Sequence, residues 1–592
     1  MIAPMTKYSF ILLSGEQDAL FSKLLDIGLV DVTRSTKPMD SHSNDMMGEI
    51  ELLTGLIQGL EKVQIPEGVE PEFIDGDIVR LTGGQLMRYS DDTLNIQELQ
   101  KEVEDLRVWG EFDPERLQAL SEAGVPIHFH VLPSKQFRPE WAEEYALTVV
   151  RTDGSRTWFV VAGSDALPGE VRRPETDVAG KEKELREKEA HFQKTLRRIA
   201  SAKERIGELE QRRADAYTNL ERYLASVTIT PAAENTLALL VGYAPTENDE
   251  AVTAALDETG VFYFKEAATV DDNPPIRLQN NKFVRMFEVL TDMYGRPAYN
   301  GFDPTPFIAI FFLLFFAFCM GDAGYGLILI GIGLLLRKVD SFKDYSPLVV
   351  TLGAGTFVIG FLFHTFFSID IAEWPVLAGF PFLPAKIAGY DGTMVLALIV
   401  GIIHLCLAMI VKTYNQTKIK GFANALGTWG WTLLIVGGTA VGALALIGVL
   451  DKDLTKWIII VLGVVSAVGI FLLNDLHRNP LINIGSGLWE SYNTVTGLLG
   501  DVLSYLRLYA LGLAGSMLGK AFNDIGNMVL GDGSSIPLWI PFLLIVVVGH
   551  TLNIAMAALG AFVHPLRLNF LEFFKNSGYE AAGHDYRPLK RQ

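Results

Sequence analysis

At 592 residues the chain exceeds one ordinary domain, and only 20% of it is charged, low for a soluble protein. The formal net charge of −19 sits mainly in the first half, which describes a solvated acidic body and argues against a nucleic-acid partner. Both cysteines, Cys319 and Cys406, fall in apolar stretches, so neither a disulfide framework nor a zinc site can be built. Met1–Ser14 lacks the basic region, apolar core and small-residue cleavage site of a signal peptide, so the N-terminal half is expected to stay cytoplasmic.

Up to about Asn300 the chain is rich in Glu, Lys, Arg and Asp. Lys7–Leu13 and Leu29–Thr33 read as strands around a helix over Glu16–Ile27. Pro126–Leu132, Tyr145–Thr152 and Thr157–Ala162 read as further strands, with Asp153-Gly154 turning a hairpin between the last two. A long polar helix is predicted over Ala179–Ser226. In it Leu185, Phe192, Ile199 and Ile206 recur every seven residues, flanked by Leu196, Ala202 and Leu209, which is the seam of a coiled coil. Its expected partner is Thr93–Val108, together with Met46–Leu60. Leu237–Gly242, Asn248–Thr259 and Val261–Phe264 complete a second strand–helix–strand unit. The fold class expected is therefore cytoplasmic α/β lobes joined by a coiled-coil arm over 1–300, an α-helical polytopic membrane domain over 301–575, and a cytoplasmic tail over 576–592. No phosphate-binding Gly-rich loop with Lys-Ser/Thr, Gly-x-Gly-x-x-Gly or zinc spacing occurs, so no cofactor, metal or nucleotide site is expected and the chain is not an enzyme by itself.

From Phe302 onward, eight apolar stretches are long enough, or nearly so, to cross a bilayer: Pro304–Cys319, Ala323–Leu336, Leu348–Phe367, Met394–Val411, Leu426–Leu450, Trp457–Leu473, Leu488–Leu518 and Leu538–Phe562. Arg337, Lys338, Lys343, Lys412, Lys418, Lys420 and Arg478 fall in the joints on one side, with Lys575, Arg587, Lys590 and Arg591 in the C-terminal tail, whereas the other side has only Lys386, Lys452, Lys456 and Lys520. The positive-inside rule then places both ends in the cytoplasm.

An ionisable side chain at the bilayer centre costs at least about 2.5–3.5 kcal/mol, so those present are functional candidates. In the seventh stretch Asn493, Gly497, Gly500, Ser504, Arg507, Leu511 and Ala514 share one face. In the eighth, His550, Asn553, Ala557, Gly560, His564 and Arg567 do the same. Glu490 stands near the inner end of the seventh. Asp322, His364 and His404 are weaker candidates: Asp322 fits a helix cap, and the two histidines fit interhelical hydrogen bonds. A guanidinium is protonated at any relevant pH. It therefore suits a fixed charge between two aqueous paths, against which a carboxylate on a moving partner exchanges its ion. No acid of this chain is identified opposite Arg507.

Three stretches carry a resemblance. Met293-Tyr-Gly-Arg-Pro-Ala-Tyr with Asp303-Pro-Thr-Pro-Phe307 and Gly321-Asp-Ala-Gly-Tyr-Gly326 looks like the start of the membrane domain in a-subunits (subunit I) of V/A-type rotary ATPases. Ser504-Tyr-Leu-Arg-Leu-Tyr-Ala-Leu-Gly-Leu-Ala514 resembles that family's essential-arginine motif, and His564-Pro-Leu-Arg-Leu-Asn-Phe-Leu-Glu-Phe-Phe574 is similar to its closing motif. The resemblance, in its prokaryotic form, implies that Arg507 and Arg567 face a rotating proteolipid c-ring in the plasma membrane. It implies half-channels lined by the last two helices, an arm held by E/G peripheral stalks, and lobes braced on central-stalk subunits of C/d type. Eukaryotic relatives carry acids in helices eight and seven where this sequence has Ala557 and Asn493, and a histidine after the arginine motif where it has Gly515. A secondary transporter would show internal repeats, and a membrane-anchored scaffold would leave the two polar stripes without a role.

Overall fold

The structure is a computed structural model. It describes all residues except 14, 34–39, 74, 111, 164–166, 172–177, 233–236, 259, 373–382, 385, 388, 474–479, 532–535 and 592, and also excepts the side chains of 230–232, 340, 480 and 481. Arg478, counted above among the inner charges, lies outside the described residues. The chain is predominantly helical and divides into two compact units, Met1–Ile11 with Leu29–Asp31 and Val241–Pro588, and Leu12–Gly28 with Val32–Leu240 and Leu589–Gln592.

Short turns of helix aside, the soluble elements run β1 (Met5–Leu13), α1 (Gln17–Ile27), β2 (Asp31–Val32), α2 (Ser41–Lys62), α3 (Ile78–Arg107), β3 (Ile127–Pro133), β4 (Leu147–Thr152) and β5 (Arg156–Ala162). Then come β6 (Glu170–Val171), α4 (Val178–Glu204), α5 (Ile206–Val227), β7 (Thr230–Ala232), β8 (Leu237–Pro245), α6 (Asp249–Asp257) and β9 (Phe262–Ala267). In the second unit α3 lies along α4 and α2 along α5. Leu53, Ile57 and Leu60 of α2, Ile78 of α3, Leu196 and Ile199 of α4 and Leu209 of α5 bury one another between these helices. The helix expected over Ala179–Ser226 is interrupted at Arg205, whose guanidinium pairs with Glu208 at 2.8 Å and lies over the Phe73 ring. Gly207, a poor helix former, stands beside this break. A separate antiparallel sheet has the order β4-β5-β3-β6. Its β4–β5 hairpin is closed by Asp153, whose Oδ1 accepts from the amides of Ser155 and Arg156, each at 2.7 Å.

In the first unit β1 pairs antiparallel with β9, Thr6 opposite Ala267 through Ile11 opposite Phe262. Lys7 of β1 reaches past β9 to Asp272 at 2.7 Å. This ammonium, together with Thr269, holds the Asp272 carboxyl down at about 2. A depressed carboxylate stabilises the fold fully above its unfolded pKa of about 3.9 and loses that contribution as pH falls toward 2. Protection of the Thr269 amide, which donates to Asp272 Oδ2 at 2.9 Å, is therefore expected to drop between about pH 4 and pH 2. Asp272→Asn should flatten that dependence, and identical profiles for the two proteins would remove the pair from the stability of this edge.

The apolar half continues as α7 (Thr305–Met320), α8 (Ala323–Leu336), α9 (Ser346–Leu362), α10 (Gly392–Lys420), α11 (Ala423–Leu446), α12 (Lys452–Phe471), α13 (Pro480–Ser504), α14 (Leu506–Leu530) and α15 (Trp539–Arg567). Among the described residues six helical segments are long and apolar enough to cross a membrane: Ser341–Leu362, Gly392–Lys420, Ala423–Leu446, Lys452–Phe471, Ile482–Leu530 and Ile536–Ser577. The apolar α7 and α8, at 16 and 14 residues, are shorter. α8 and α9 meet backbone to backbone: a Cβ on Gly360 would stand 2.2 Å from the Ala323 nitrogen, and one on Gly326 2.4 Å from that of Phe357.

Several helices outrun their apolar windows. Lys412, Lys418 and Lys420 belong to α10, Lys452 and Lys456 to α12, and Lys520 to α14, not to joints. Long basic side chains extend their stems along a helix while their heads stay polar, so the backbone ladder continues where hydropathy stops. The seventh stretch, expected over Leu488–Leu518, runs from Pro480 to Leu530 with a break at Tyr505.

Candidate functional site

The break beside Arg507 is built by its neighbours. The amide of Tyr505 donates to Val502 O at 3.2 Å and that of Leu508 to Tyr505 O at 3.1 Å, so the chain tightens for one turn between α13 and α14. The Tyr505 ring is fully buried against Gly401 of α10, where a Cβ would fall 2.4 Å from the ring. Its hydroxyl meets His404 Nδ1 at 2.9 Å. His404 is itself stacked between Phe311 and Phe573, with ring centroids 4.1 and 4.7 Å away. This histidine makes an interhelical hydrogen bond that positions Tyr505.

Arg507, the first turn of α14, is half-buried, and its Nη1 is enclosed with no hydrogen-bond partner among the described residues. His564 lies within electrostatic reach of both Arg507 and Arg567, and its Nδ1 is likewise enclosed and unpartnered. Arg567 itself is exposed at the end of α15. Ser504 donates back to Gly500 O at 3.1 Å. Glu490 and Asn493 lie on exposed positions of α13 well before Arg507.

On the other side of Arg507, α14 and α15 pack along one another and enclose a polar cluster. His550 Nε2 meets Asn523 Oδ1 at 2.9 Å, and His550 Nδ1 meets the Tyr325 hydroxyl at 2.7 Å. Asn553 Nδ2 donates to that same hydroxyl and to Gly515 O, each at 2.8 Å. Asn523 Nδ2 donates to Phe367 O at 2.9 Å, which leaves its Oδ1 to accept. One assignment satisfies every group: His550 carries its proton on Nε2 and accepts from Tyr325 on Nδ1. A groove of about 870 Å³ opens beside this cluster, lined by His364, Asp370, Lys520, Asn523, Asp524 and His550 among others.

Asp322 is a cap and more. Its Oδ1 accepts from the amides of Gly324, Tyr325 and Phe367 at 2.8, 3.2 and 2.9 Å, and its Oδ2 from Ser368 at 2.6 Å. It thereby ties the start of α8 to a small hairpin, Thr365–Phe366 against Ile369–Asp370. His364 pairs with Asp370 of that hairpin at 3.0 Å.

Glu572 is an acid within electrostatic reach of Arg507 that sequence reasoning did not single out. Glu572 is 4% exposed, its Oε2 has no partner among the described residues, and its carboxyl lies within reach of Ser504, Asp501 and Arg507. Asp501, at the next level, accepts from Lys575 Nζ at 3.3 Å and from Asn576 Nδ2 at 2.7 Å. The route by which Glu572 arrives is local. Pro565 inside α15 has no N–H, Asn569 Nδ2 donates to the Pro565 carbonyl at 2.9 Å, and the helix widens into a π-turn over Leu568–Phe573. Pro565 was the available signal in the sequence.

Residues 163–368 match the model of the V-type ATPase 116kDa subunit family. The chain is 26% identical over 652 residues to "V-type ATP synthase subunit I 1" of Treponema pallidum, covering 100% of both chains. Over the same full extent it is 23% identical to V-type ATP synthase subunit I of Borreliella burgdorferi. These matches support the V/A-type ATPase subunit I family for this chain. It is also 32% identical over 368 residues to A-type ATP synthase subunit I of Pyrococcus abyssi, covering 59% of this chain and 53% of that relative. It thus spans the full length of its bacterial relatives and about half of that archaeal one. Within the subunit I family, the polar groups assembled here centre on Arg507 and the last two long helical segments.

Proposed function

We propose that the chain is the stator subunit of a V/A-type rotary ATPase or ATP synthase, forming two cation half-channels against a rotating proteolipid ring. The observation that carries this reading is Arg507, a half-buried permanent charge with an unpartnered Nη1, standing between two separate polar clusters. One cluster is the groove with His550, Asn553 and Asn523; the other is Glu572, Ser504 and Asp501. A charge so placed interrupts a direct path and favours ion exchange with a carboxylate brought in from outside the chain. On α13 and α15, Leu499, Leu503, Met556 and Leu559 are exposed and available to a partner or lipid.

In this reading the apolar half crosses the plasma membrane eight times, with α7 and α8 as short spans and both termini cytoplasmic. The rod of α2–α5 is a coiled-coil arm for E/G peripheral stalks, and the sheet-bearing parts meet central-stalk subunits of C/d type. Nucleotide chemistry belongs to other chains. The test is co-isolation: a tagged chain drawn from native membranes in mild detergent should bring down a proteolipid ring and a nucleotide-hydrolysing head. Recovery of the chain alone, from membranes whose ATP-driven ion uptake is intact without it, would exclude the stator role.

A further inference from the structure

We infer that a polar cavity at the entry to the apolar half holds the headgroup of a zwitterionic aminophospholipid, with Arg285 on its phosphate and Glu288 on its primary ammonium. The cavity measures about 780 Å³, within the usual size of small-molecule sites, and arginines and acids line it together. Backbone hydrogen bonds hold its walls. Ile276 N donates to His584 O at 2.7 Å, Tyr586 N to Ile276 O at 3.3 Å, and Gly583 N to Arg296 O at 3.1 Å. The walls therefore do not depend on a ligand.

Most charges in the cavity are already matched. Arg277 pairs with Glu247 at 2.9 Å and lies over the Tyr586 ring. Arg296 pairs with Asp292 and Asp585, each at 2.7 Å, and Arg587 with Asp585 at 3.4 Å. Arg285 and Glu288 differ: among the described residues neither forms an ion pair, with the other or with any third group. Opposite charges three apart on one continuous helix are neighbours and attract. Here the chain breaks between two short helices, Lys282–Arg285 and Glu288–Tyr294, around the buried Phe287. Asn280 Nδ2 donates to Glu288 Oε1 at 3.0 Å and orients that carboxylate, whose Oε2 is left to accept.

One unpaired cation and one unpaired anion in a single cavity fit a ligand that carries both signs. A phosphodiester offers its oxygens to the guanidinium fork, and a primary ammonium a short linker away offers three donors to the carboxylate. The unpaired carboxylate disfavours a purely anionic headgroup, and a quaternary ammonium has no N–H to give it. The same two helices point to a lipid as the source. They expose Phe283, Val289 and Met293 and carry the exposed Lys282. Apolar side chains beside cations on short helices suit a segment seated in the headgroup layer. The segment is fixed to the first turn of α7, because the buried hydroxyls of Thr291 and Thr305 meet at 2.9 Å.

The experiment uses the full chain in the assembly in which it is isolated from membranes, stripped of lipid in mild detergent. Phosphatidylethanolamine, phosphatidylcholine and phosphatidylglycerol with identical acyl chains are titrated in, and bound lipid is counted by native mass spectrometry. Phosphatidylethanolamine is expected to bind about fivefold tighter than either of the others, a modest ratio because the site meets water. Glu288→Gln should erase its advantage over phosphatidylcholine, and Arg285→Gln should remove the tightly held equivalent. Lys282→Gln, which deletes a charge of the same segment outside the cavity, should change neither result. Equal binding of the three lipids, a preference for phosphatidylglycerol, or a preference that survives both cavity substitutions overturns the proposal. Soluble phosphoethanolamine binding as tightly as the lipid also overturns it, since the occupant would then come from solution. If either variant fails to assemble, wild-type protein exposed to phosphatidylethanolamine with a photoactivatable acyl chain decides. Labelling within 282–294 that unlabelled phosphatidylethanolamine competes and phosphatidylcholine does not supports the site, and labelling only elsewhere overturns it. The readout is binding, not ion uptake, so this proposal and the stator reading can fail separately.

Discussion

Arg507→Ala is expected to abolish ATP-driven ion uptake while leaving the complex assembled. The guanidinium is only half-buried and has no partner on Nη1, so truncation removes no bond that holds α14 in place. That helix is fixed instead by Tyr505 against Gly401 and by Asn553 on Gly515 O. What is lost is a preorganised charge in a poorly solvated site, and removal of such a charge lowers rates by about 10²-fold or more. Arg507→Lys keeps the charge but loses the planar fork and gains a group whose proton can be removed, so partial, pH-sensitive pumping is expected. The measurement is initial dye quenching in inverted vesicles, normalised to complex recovered by pull-down. Normal pumping by assembled Arg507→Ala would make the arginine a structural feature.

Asp322→Ala should act in the opposite way, on stability first. Four amides converge on this carboxylate, which is 2% exposed. Each buried donor left unpaired costs about 1–3 kcal/mol, and relaxation will rescue some, so a loss of about 3–5 kcal/mol is expected. The hairpin it anchors has little of its own to spare. His364, Phe367 and Ser368 all have positive φ, at 52, 47 and 58°, a conformation that costs non-glycine residues about 1–3 kcal/mol each. The variant should lower the temperature of thermal inactivation in detergent and open 364–370 to proteolysis. Asp322→Asn, which keeps one acceptor oxygen, should fall between. A variant of unchanged stability that no longer pumps would instead put Asp322 on the ion path.

Much of this was legible in the sequence, for reasons that also explain what was not. The stripes of α14 and α15 follow from helical spacing alone, and His550 and Asn553 do meet in one cluster. Asn523 and Asp524 were hidden because a membrane-length rule ends a helix at its first polar residues, whereas α14 continues to Leu530. Glu572 was hidden differently. It follows the last apolar window, and a regular α-helix gives no reason to bury it; only the π-turn after Pro565 does. His404 was visible as a buried histidine, but its aromatic neighbours Phe311, Phe315, Tyr505 and Phe573 come from distant segments that no spacing reveals. The positions of Glu490 and Asn493 on exposed faces of α13 leave their role to functional test.

Because the Tyr505 ring occupies the space beside Gly401 and its hydroxyl engages His404, these three positions cannot drift independently. A side chain at 401 collides with the ring, a smaller residue at 505 opens a void, and loss of the hydroxyl strands an imidazole nitrogen in an apolar setting. Every single step away from the present trio is unfavourable, although a coordinated change of all three need not be. The three positions beside the bend that presents Arg507 are therefore expected to change together or not at all.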